Sequence, residues 1–476
     1  MHRILLILSF LLSQEIADGM ILFTPYNSQD SINVTYLTDH HFNEINTWEH
    51  EQNLVPASMP YLNQDSTIWY PCKSSNPTMV SGGVGGLIQK LDWNNNIIWE
   101  FSMSNDSLQH HHDIEPMPNG NILIIAWSRK NLHDAQSMGR EIIETPLQQM
   151  WSESIFEIKP IGLDSAEIVW EWHLWDHLVQ DINPNLSNYG VVSEHPELLN
   201  INLGQVGFGM SSFGSDNADW IHFNSIDYNP YLDQIVLSSR MMNEIYLIDH
   251  STTTQEAASH LGGNSGKGGD FLYRWGNPQN YDRGTDADRV LGSQHSVNWI
   301  DADYPGEGNL LIFNNLQFGN NSAIIEISTP NDFDGNYNLN NLEPYGPGSW
   351  DWMFYEPSTV MPQIIQSGAH RLENGNTFIT TFSNAKMIEV SMDGDIVLEY
   401  SPPQNSVINR AHKYVEDYLV PTIGDLNDDN YTDILDVILL IEIIIEEEAY
   451  NLLADINDDQ IIDILDIISL VNRILS

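Results

Sequence analysis

The sequence predicts an all-β protein, a six-bladed β-propeller, followed by a small α-helical module. Strand signals dominate residues 19–400, and one pattern of apolar strands joined by tight turns recurs along them. A separate aspartate-rich repeat fills residues 422–476 and precedes two apolar stretches of helical length. These observations divide the chain into a large β domain, a linker over residues 401–421 and a small C-terminal domain.

Each repeated unit of the large domain begins with a β-hairpin. Asn-Gly between apolar runs is the strongest short hairpin signal, and it occurs at Asn119-Gly120 and Asn374-Gly375, with looser copies near residues 233 and 308. A second strand pair follows each hairpin, as at 155–158 with 168–172. Five such units are clear, and residues 66–70 supply part of a closing blade, so we expect six blades.

The composition limits the partners of the chain. Lys plus Arg is 17 and Asp plus Glu is 66, which gives a formal net charge of −49. Such an acidic chain repels nucleic acid and anionic membrane surfaces, so we expect neither as a partner. Cys72 is the one cysteine, so no intrachain disulfide can form and the fold depends on its core and on metal. We expect Cys72 to be buried as a small apolar side chain.

Residues 1–18 predict a secretory signal peptide. A basic start at Arg3 leads into an apolar run over residues 4–12, which is too short to span a bilayer, and small residues follow near Ala17. No other segment has 18 consecutive apolar residues, so we expect no membrane span. The prediction is a secreted protein, extracellular or attached to the cell surface, with the periplasm as an open alternative.

The C-terminal domain contains two segments that superimpose with a shift of 30 residues, one from Asp425 and one from Asp455. Oxygen-bearing side chains fall at positions 1, 3, 5, 9 and 12 of each, the spacing of a Ca²⁺-binding loop. Position 12 is Asp where an EF-hand has Glu, and position 6 is Asn430 or Gln460 where an EF-hand has Gly. The ten candidate ligands are Asp425, Asn427, Asp429, Asp433, Asp436, Asp455, Asn457, Asp459, Asp463 and Asp466.

These two loop-then-helix segments resemble a type I dockerin over residues 422–476. The resemblance implies that Ca²⁺ folds the module and that a cohesin domain is its partner. It also implies that loop positions 10 and 11 choose the partner; here these are Ile434-Leu435 and Ile464-Leu465, identical in both halves. Two-fold pseudosymmetry would let either half dock. The alternative is an acidic surface segment that binds no metal.

Four histidines stand near the start of the predicted inner strands: His112, His222, His295 and His370. Equivalent positions of a propeller converge on its central channel, and several imidazoles facing one cavity are more useful for chemistry than for packing. A single histidine of this kind is more often a satisfied core or surface residue. The four together therefore predict a site in the channel.

The order of the motifs around these histidines resembles the arylsulfotransferase family over roughly residues 80–400. The segments that carry the resemblance are 111–116, 172–181, 219–225, 238–245, 273–278 and those around His295 and His370. The resemblance implies a secreted six-bladed propeller that moves a sulfuryl group from a phenolic sulfate ester to a phenol. No nucleotide cofactor takes part, and a channel histidine is transiently sulfated.

The resemblance also implies roles for single residues. His370 matches the nucleophile, and His222 and His295 match supporting histidines that hold the sulfate or move the phenol proton. The family's sulfate-binding Arg is missing from residues 313–323, and Arg371 or Arg240 is the candidate substitute. We take His370, His295, His222 and Arg371 as candidate catalytic residues and His112, Arg240, Asn298 and His177 as candidate substrate-binding residues.

Two questions stay open at the level of sequence. The missing Arg leaves a non-catalytic propeller that binds sulfated, phenolic or glycan ligands as the alternative function, and a purely structural propeller as a third. The spacing of His173, Asp176, His177 and Asp181 could bind a metal, although orienting a long insert near the channel mouth is the simpler interpretation.

Overall fold

The computed structural model describes most of the chain. The described residues are 16–27, 32–207, 216–317, 319, 321–332, 335–339, 343–356, 363–402, 406–419, 423–427, 432–446, 451–457 and 461–474. Most of the predicted signal peptide and the candidate ligands Asp429 and Asp459 therefore lie outside the described residues.

Six antiparallel sheets of four strands each form the large domain, which confirms the prediction of a six-bladed propeller. The innermost strands of blades 3, 4, 5 and 6 contact one another in turn. From the innermost strand outward, the strands are as follows: blade 1, Ala411–Tyr414, Met20–Phe23, Ile32–Asp39 and Glu44–Glu51; blade 2, Tyr61–Leu62, Ile68–Lys73, Gly86–Leu91 and Ile97–Ser102; blade 3, Leu108–Pro116, Ile122–Asn131, Gln149–Ile161 and Ser165–His173; blade 4, Phe223–Asn229, Gln234–Ser239, Glu244–Asp249 and Tyr273–Trp275; blade 5, His295–Trp299, Leu310–Asn314, Ala323–Ile327 and Trp352–Phe354; blade 6, Gly368–Arg371, Thr377–Thr381, Lys386–Val390 and Ile396–Tyr400.

Blade 1 closes the ring with strands from both ends of the domain. Ala411–Tyr414 pairs with Met20–Phe23, in register from Met20 opposite Tyr414 to Phe23 opposite Ala411. The segment expected to be linker, 401–421, therefore contains the innermost strand of a blade. Residues 66–70, expected in the closing blade, lie in blade 2 instead. The propeller extends through residue 414.

The remaining short elements lie in connections within and between blades and in the C-terminal segment. Leu132–Ser137 (α1) follows the second strand of blade 3, and Thr254–Ala257 (α2) lies in the insert of blade 4. The insert between blades 3 and 4 contains a parallel pair of two-residue strands, Leu178–Val179 and Leu199–Asn200. Single 3₁₀ turns are found at Leu174–Asp176, Val192–Glu194, Pro278–Tyr281, Asp286–Asp288 and Leu452–Ala454.

Buried ion pairs join neighbouring blades below the apolar core. Arg371, on the inner strand of blade 6, pairs with Glu326 of blade 5. Lys413, on the inner strand of blade 1, pairs with Glu389 of blade 6 at 2.6 Å. Removing one partner of such a pair would leave an uncompensated buried charge, so the pairs fix how neighbouring blades pack. Cys72 is fully buried, as expected.

The C-terminal segment contains two helices, Ile434–Glu446 (α3) and Ile464–Ile474 (α4), which contact each other. Val437, Leu440 and Leu470 are buried between them. Each helix begins at the same position of its Asp-rich segment, and the hydrogen bonds repeat with the 30-residue shift of the sequence. The described part of the chain has no helix long and apolar enough to cross a membrane.

Candidate functional site

Three of the four predicted histidines lie together at irregular points of the inner strands. The pairing register shifts between residues 110 and 114 in blade 3, 223 and 225 in blade 4, and 295 and 297 in blade 5. Such bulges re-aim side chains and are common beside functional sites. His112 and His222 have positive φ angles of 53° and 58° there. We call His112, His222 and His295 the histidine cluster.

The rings of the cluster are close to one another and almost fully buried. His112 and His222 meet edge to face with a centroid distance of 4.5 Å. Burial, together with the nearby charges of His222, His111 and His295, holds the pKa of His112 well below its ordinary value. The site therefore favours the neutral imidazole of His112, which is the nucleophilic and proton-accepting form.

Asp219 orients His222. Its carboxylate accepts a hydrogen bond from His222 Nδ1 and another from the Ser81 hydroxyl, the latter at 2.8 Å. Burial raises the pKa of Asp219, but the nearby charge of His222 and its hydrogen bond lower it more, so the pKa of Asp219 is below its ordinary value. An ionised carboxylate at Nδ1 places the ring proton there, so the lone pair of neutral His222 is at Nε2.

His295 is held in the same tautomer. Its Nδ1 donates to the carbonyl of Ser293 at 3.0 Å and to Oδ1 of Asn315 at 2.9 Å. Asn315 is oriented by its own amide, which donates to the carbonyl of Gln366. Burial and the nearby charge of Arg240 lower the pKa of His295 to about 3. His295 is thus a neutral imidazole with its lone pair at Nε2.

His112 is the end of a buried hydrogen-bonded chain. Its Nδ1 lies 2.8 Å from Nδ1 of His111, and Nε2 of His111 lies 2.8 Å from Oε2 of Glu153. Glu153 is fully buried, and burial together with the charge of Asp219 raises its pKa well above the ordinary value. With Glu153 protonated, the chain places protons on Nδ1 of His111 and Nε2 of His112. A proton can therefore pass between Glu153 and the histidine cluster.

Arg240 is the cation beside the cluster. Its Nε–H is buried and has no hydrogen-bond acceptor among the described residues. Its other guanidinium contacts are weak: the sulfur of Met241 at 3.4 Å and the carbonyl of Ile364 at 3.5 Å. Burial lowers the pKa of Arg240, while the charge of Asp219 opposes this. A partly buried guanidinium with a free Nε–H suits the oxygens of an anion such as sulfate.

The structure does not bring His370 to this cluster. Val297 of blade 5 and Ala369 of blade 6 occupy equivalent positions, because each pairs with the third residue of the next strand in its blade. His295 lies two residues before that position, whereas His370 lies one residue after it. The two histidines are therefore at different levels of the inner strands. His370 instead stacks on His412 with a centroid distance of 4.0 Å. Its Nε2 accepts the backbone N–H of Lys413 at 3.1 Å, so its lone pair is already engaged.

Asn298 lies in the layer of His370. Its side-chain amide donates to the carbonyl of Ala369 at 2.8 Å, which links the inner strands of blades 5 and 6.

Two other candidates have structural partners. Arg371 donates to Glu326 and to the carbonyl of Gly375, the latter at 3.0 Å. Both ring nitrogens of His177 are occupied, Nδ1 by Asp270 at 2.7 Å and Nε2 by the carbonyl of Ala257 at 2.8 Å. Within the described residues, neither side chain contacts the histidine cluster. Of the two arginines considered as replacements for the missing sulfate-binding Arg, only Arg240 lies beside the histidine cluster.

Sequence reasoning missed the residues that support the cluster. Glu153 stands between two serines inside the strand Gln149–Ile161, and a carboxylate within a run of buried residues is a signal of a buried polar role. Gly83 packs against His112, and a Cβ at Gly83 would lie 2.1 Å from His112 Nε2. The glycine pair Gly82-Gly83 is the sequence signal for this contact, because glycine lets another group approach the backbone closely.

The described residues of the two Asp-rich segments have matching geometry. Oδ1 of Asp436 accepts the N–H of Leu426 at 2.7 Å, and Oδ1 of Asp466 accepts the N–H of Ile456 at 2.9 Å. Both position-12 carboxylates are fully buried. Asp425 and Asp455, at position 1, are also buried. Carboxylate oxygens such as those at positions 1 and 12 are the ligand type that Ca²⁺ prefers.

A search against known protein families matches residues 72–332 to the arylsulfotransferase family, described as Arylsulfotransferase (ASST). This chain belongs to the arylsulfotransferase family. The match covers the histidine cluster, Arg240, Asp219 and Glu153 and leaves out His370 and the C-terminal repeat. No curated protein matches the chain.

Solved structures with a similar shape are distant in sequence. A Bacteroides caccae protein of unknown function has 9% identity and a TM-score of 0.45, covering 84% of this chain and 100% of its own. The β-propeller domain of Cps50 (Swd1) from Myceliophteria thermophila has 8% identity and a TM-score of 0.38, covering 82% and 88%. A putative 6-phosphogluconolactonase from Bacteroides fragilis has 9% identity and a TM-score of 0.37, covering 84% and 99%. These similarities are too distant to carry an argument about function.

Proposed function

We propose that this protein is an aryl-sulfate sulfotransferase that works through a sulfohistidine on His222. The observation that carries the proposal is the histidine cluster beside Arg240 in a chain of the arylsulfotransferase family. His222 has its lone pair at Nε2 and a carboxylate behind Nδ1, the arrangement that activates an imidazole in nucleophilic catalysis. Arg240 supplies the unused donors that the sulfate oxygens need.

In the first half-reaction, Nε2 of His222 attacks the sulfur of the aryl sulfate, and the bond from sulfur to the phenolic oxygen breaks. The imidazolium that forms keeps its Nδ1 proton on Asp219. The departing phenolate takes the proton from Nε2 of His112. Protons then shift along His111, so that Glu153 ends this half-reaction ionised.

The second half-reaction runs the proton movement in reverse. The acceptor phenol attacks the sulfur, and the sulfur–nitrogen bond to His222 breaks. The phenol proton passes to Nε2 of His112 and restores the proton on Glu153, whose burial favours the neutral carboxyl. The phenol has one hydroxyl proton, so His295, with its lone pair at Nε2, can hold that hydroxyl only before the proton is transferred to His112. The cycle needs no nucleotide and consumes no net proton.

The experiment that tests this proposal measures p-nitrophenolate release from p-nitrophenyl sulfate with and without added phenol. We expect phenol-dependent release by the purified protein, loss of at least about 10³-fold for His222→Ala, and a much smaller effect for His370→Ala. The reverse order of the two variants would return the nucleophile to His370, as the sequence resemblance implies. Tight binding of the sulfate ester without turnover would favour the non-catalytic propeller.

We further propose that residues 422–476 form a calcium-dependent dockerin that attaches the enzyme to a cohesin-like partner. The support is the repeated geometry of the Asp-rich segments and the exposure of the residues at positions 10 and 11. Ile434 and Ile464 are 63% and 65% exposed, and Leu435 and Leu465 are 51% and 50% exposed. Apolar side chains this exposed at matched positions are typical of a docking surface.

Calcium dependence is testable in the full-length protein by hydrogen exchange. Because metal binding supplies folding energy to such loops, removal of Ca²⁺ with EGTA should speed exchange across 423–474 and leave the propeller strands unchanged. Exchange in the tail that ignores EGTA would contradict the proposal. Ile434→Ser with Leu435→Ser should preserve binding of a cohesin-like domain, and adding Ile464→Ser with Leu465→Ser should abolish it.

Secretion is also a proposal, supported by the basic start and apolar run of residues 1–18. Mass spectrometry of the mature chain should place its N-terminus near Ala17. A mature chain that retains Met1 would contradict it.

A further inference from the structure

A cluster of possible metal ligands lies in the insert of blade 4, away from the histidine cluster. Nδ1 of His177 and Nδ1 of His260 both face Oδ1 of Asp270, at 2.7 Å and 2.8 Å. These three atoms lie within 4.8 Å of one another, and no other group of three such side chains converges in this way in the described ranges. Although His173, Asp176 and Asp181 have metal-like spacing in the sequence, the partners of His177 come from far along the chain.

The hydrogen bonds of His177 determine which of its nitrogens can bind a metal. Nε2 contacts the carbonyl of Ala257, which can only accept, so Nε2 carries the ring proton. In a neutral ring, the lone pair of Nδ1 then points at the carboxylate of Asp270. Two lone pairs cannot face each other at 2.7 Å, so a proton or a metal ion lies between Nδ1 and the carboxylate oxygen.

The surroundings fix His177 as rigidly as a metal ligand is usually held. Its ring lies parallel to that of Trp172 with a centroid distance of 5.5 Å. The indole N–H of Trp172 donates to the carbonyl of Gly269, and a Cβ at Gly269 would lie 2.6 Å from Nε2 of His177. Metal-bound histidines almost always donate their other N–H to a carbonyl or carboxylate, as Nε2 does here.

We propose that His177, His260 and Asp270 bind one zinc ion. Two imidazole nitrogens and one carboxylate oxygen suit Zn²⁺, whereas Ca²⁺ needs six to eight oxygens, so the site is chemically distinct from the Asp-rich loops. Ligands around a tetrahedral zinc lie about 3.3 Å apart, so binding requires an opening of about 0.5 Å. The side chain of His260 is 61% exposed and can supply that movement for its own contact with Asp270, whereas the His177–Asp270 contact must open between two buried side chains. Water completes the coordination on that side.

Such an ion would clamp the insert of blade 4 to the end of blade 3. His177 follows the outermost strand of blade 3, whereas His260 and Asp270 belong to the loop that follows α2. A chain with a single cysteine cannot fix such a loop with a disulfide. A metal clamp would do so, and its binding energy would stabilise the loop against local opening.

The test uses the full-length protein, stripped of metal and returned to excess Ca²⁺ so that the Asp-rich loops are occupied. Equilibrium dialysis against Zn²⁺, followed by metal analysis, should find one zinc per chain. His260→Ala removes an exposed ligand without disturbing the core, whereas His133→Ala removes an exposed histidine of α1 and is the matched control. Loss of a group that merely orients a metal ligand costs roughly 10–100-fold in affinity, so His260→Ala should cost more.

Cobalt gives an independent measurement. Co²⁺ bound at the site should show the strong visible absorption of four-coordinate cobalt, retained in His133→Ala and absent in His260→Ala. Zinc binding that is equal in the two variants would overturn the proposal, since the zinc would then lie elsewhere. No stoichiometric zinc in the unaltered protein would also overturn it, and the contact between His177 and Asp270 would then be an ordinary hydrogen bond.

Discussion

The buried histidines predict that acid destabilises the propeller, and His50 isolates the effect at one residue. His50 lies in the outer strand of blade 1, 4% exposed and stacked on Tyr70 at 3.6 Å. Burial lowers its pKa to about 3. A group with a depressed pKa contributes stability that is complete above its unfolded value, near 6.5, and is lost as the pH falls. Each pH unit below 6.5 costs about 1.4 kcal/mol, so the change from pH 7 to pH 5 costs about 2 kcal/mol.

The same argument applies to the other groups with shifted values. Burial lowers the pKa of His110 and His295 to about 3 and of His412 to about 4, so four histidines cost about 8 kcal/mol at pH 5. Burial raises the pKa of Asp227 to about 8, with the opposite sign, which restores about 3 kcal/mol over this interval. The raised pKa values of Asp301 and His250 also restore stability, whereas the lowered pKa values of His111, His112 and His370 add to the loss. The effect of acid on the whole protein is therefore a balance of opposing groups, and His50 isolates one of them.

The assay compares urea denaturation at pH 7 and pH 5 for the unaltered protein and for His50→Phe, at constant Ca²⁺. Phenylalanine keeps the stacking on Tyr70, and the hydroxyl of Thr35 keeps its hydrogen bond to Thr24. The variant should lose about 2 kcal/mol less than the unaltered protein between the two pH values. An equal loss in both proteins would refute the reasoning, because His50 would then be free to accept a proton in the folded state.

Three further predictions follow from other parts of the structure. Arg371→Met should reduce the free energy of unfolding, measured in urea, by about 3–5 kcal/mol, because it leaves Glu326 buried without its partner. Arg240→Met should instead raise KM for the aryl sulfate with little loss of stability. Equal stabilities for these two variants would contradict the division of roles. Gly83→Ala should lower kcat roughly 100-fold, because a Cβ displaces His112, whereas Gly120→Ala shares the positive φ without a clash and should keep its activity. The ratio kcat/KM for an aryl sulfate should rise as the salt concentration increases from about 0.01 to 0.15 M. Salt screens the repulsion between the anionic substrate and a chain of net charge −49. A fall in kcat/KM with salt would mean that cations near the site dominate the approach of the substrate.

The blades were predictable because their signals are local. Gly120 and Gly375, which have φ angles of +80° and +88°, occupy turns that the Asn-Gly pairs predicted. Blade 1 was missed for two reasons. The turn between Ile32–Asp39 and Glu44–Glu51 contains His40, His41 and Phe42 and no glycine, so it lacks that signal. Its inner strand comes from the other end of the domain, and no local pattern reports a pairing over such a distance.

The histidine site was predictable in part, and bulges explain the difference. Sequence spacing located His112, His222 and His295 near the starts of inner strands, and the structure brings these three together. The same spacing placed His370 beside them. Three of the strands contain a register shift before the regular pairing, whereas the described pairing of Gly368–Arg371 contains none. A bulge adds a residue without lengthening the strand, so counting along the sequence cannot establish which side chains share a layer.

The arginines show why the role of a buried cation needs the structure. Arg274, Arg371 and Arg410 each meet a buried carboxylate, from Glu244, Glu326 and Asp113 respectively. The pairs of Arg371 and Arg410 join different blades, so no sequence neighbour reveals them. Arg240 differs in forming no ion pair among the described residues, although its buried Nε–H lacks an acceptor there just as those of Arg371 and Arg129 do. A protein interior retains such a donor at a cost unless a ligand uses it. The unused guanidinium is therefore the strongest sign in the propeller that an anion binds beside the histidine cluster.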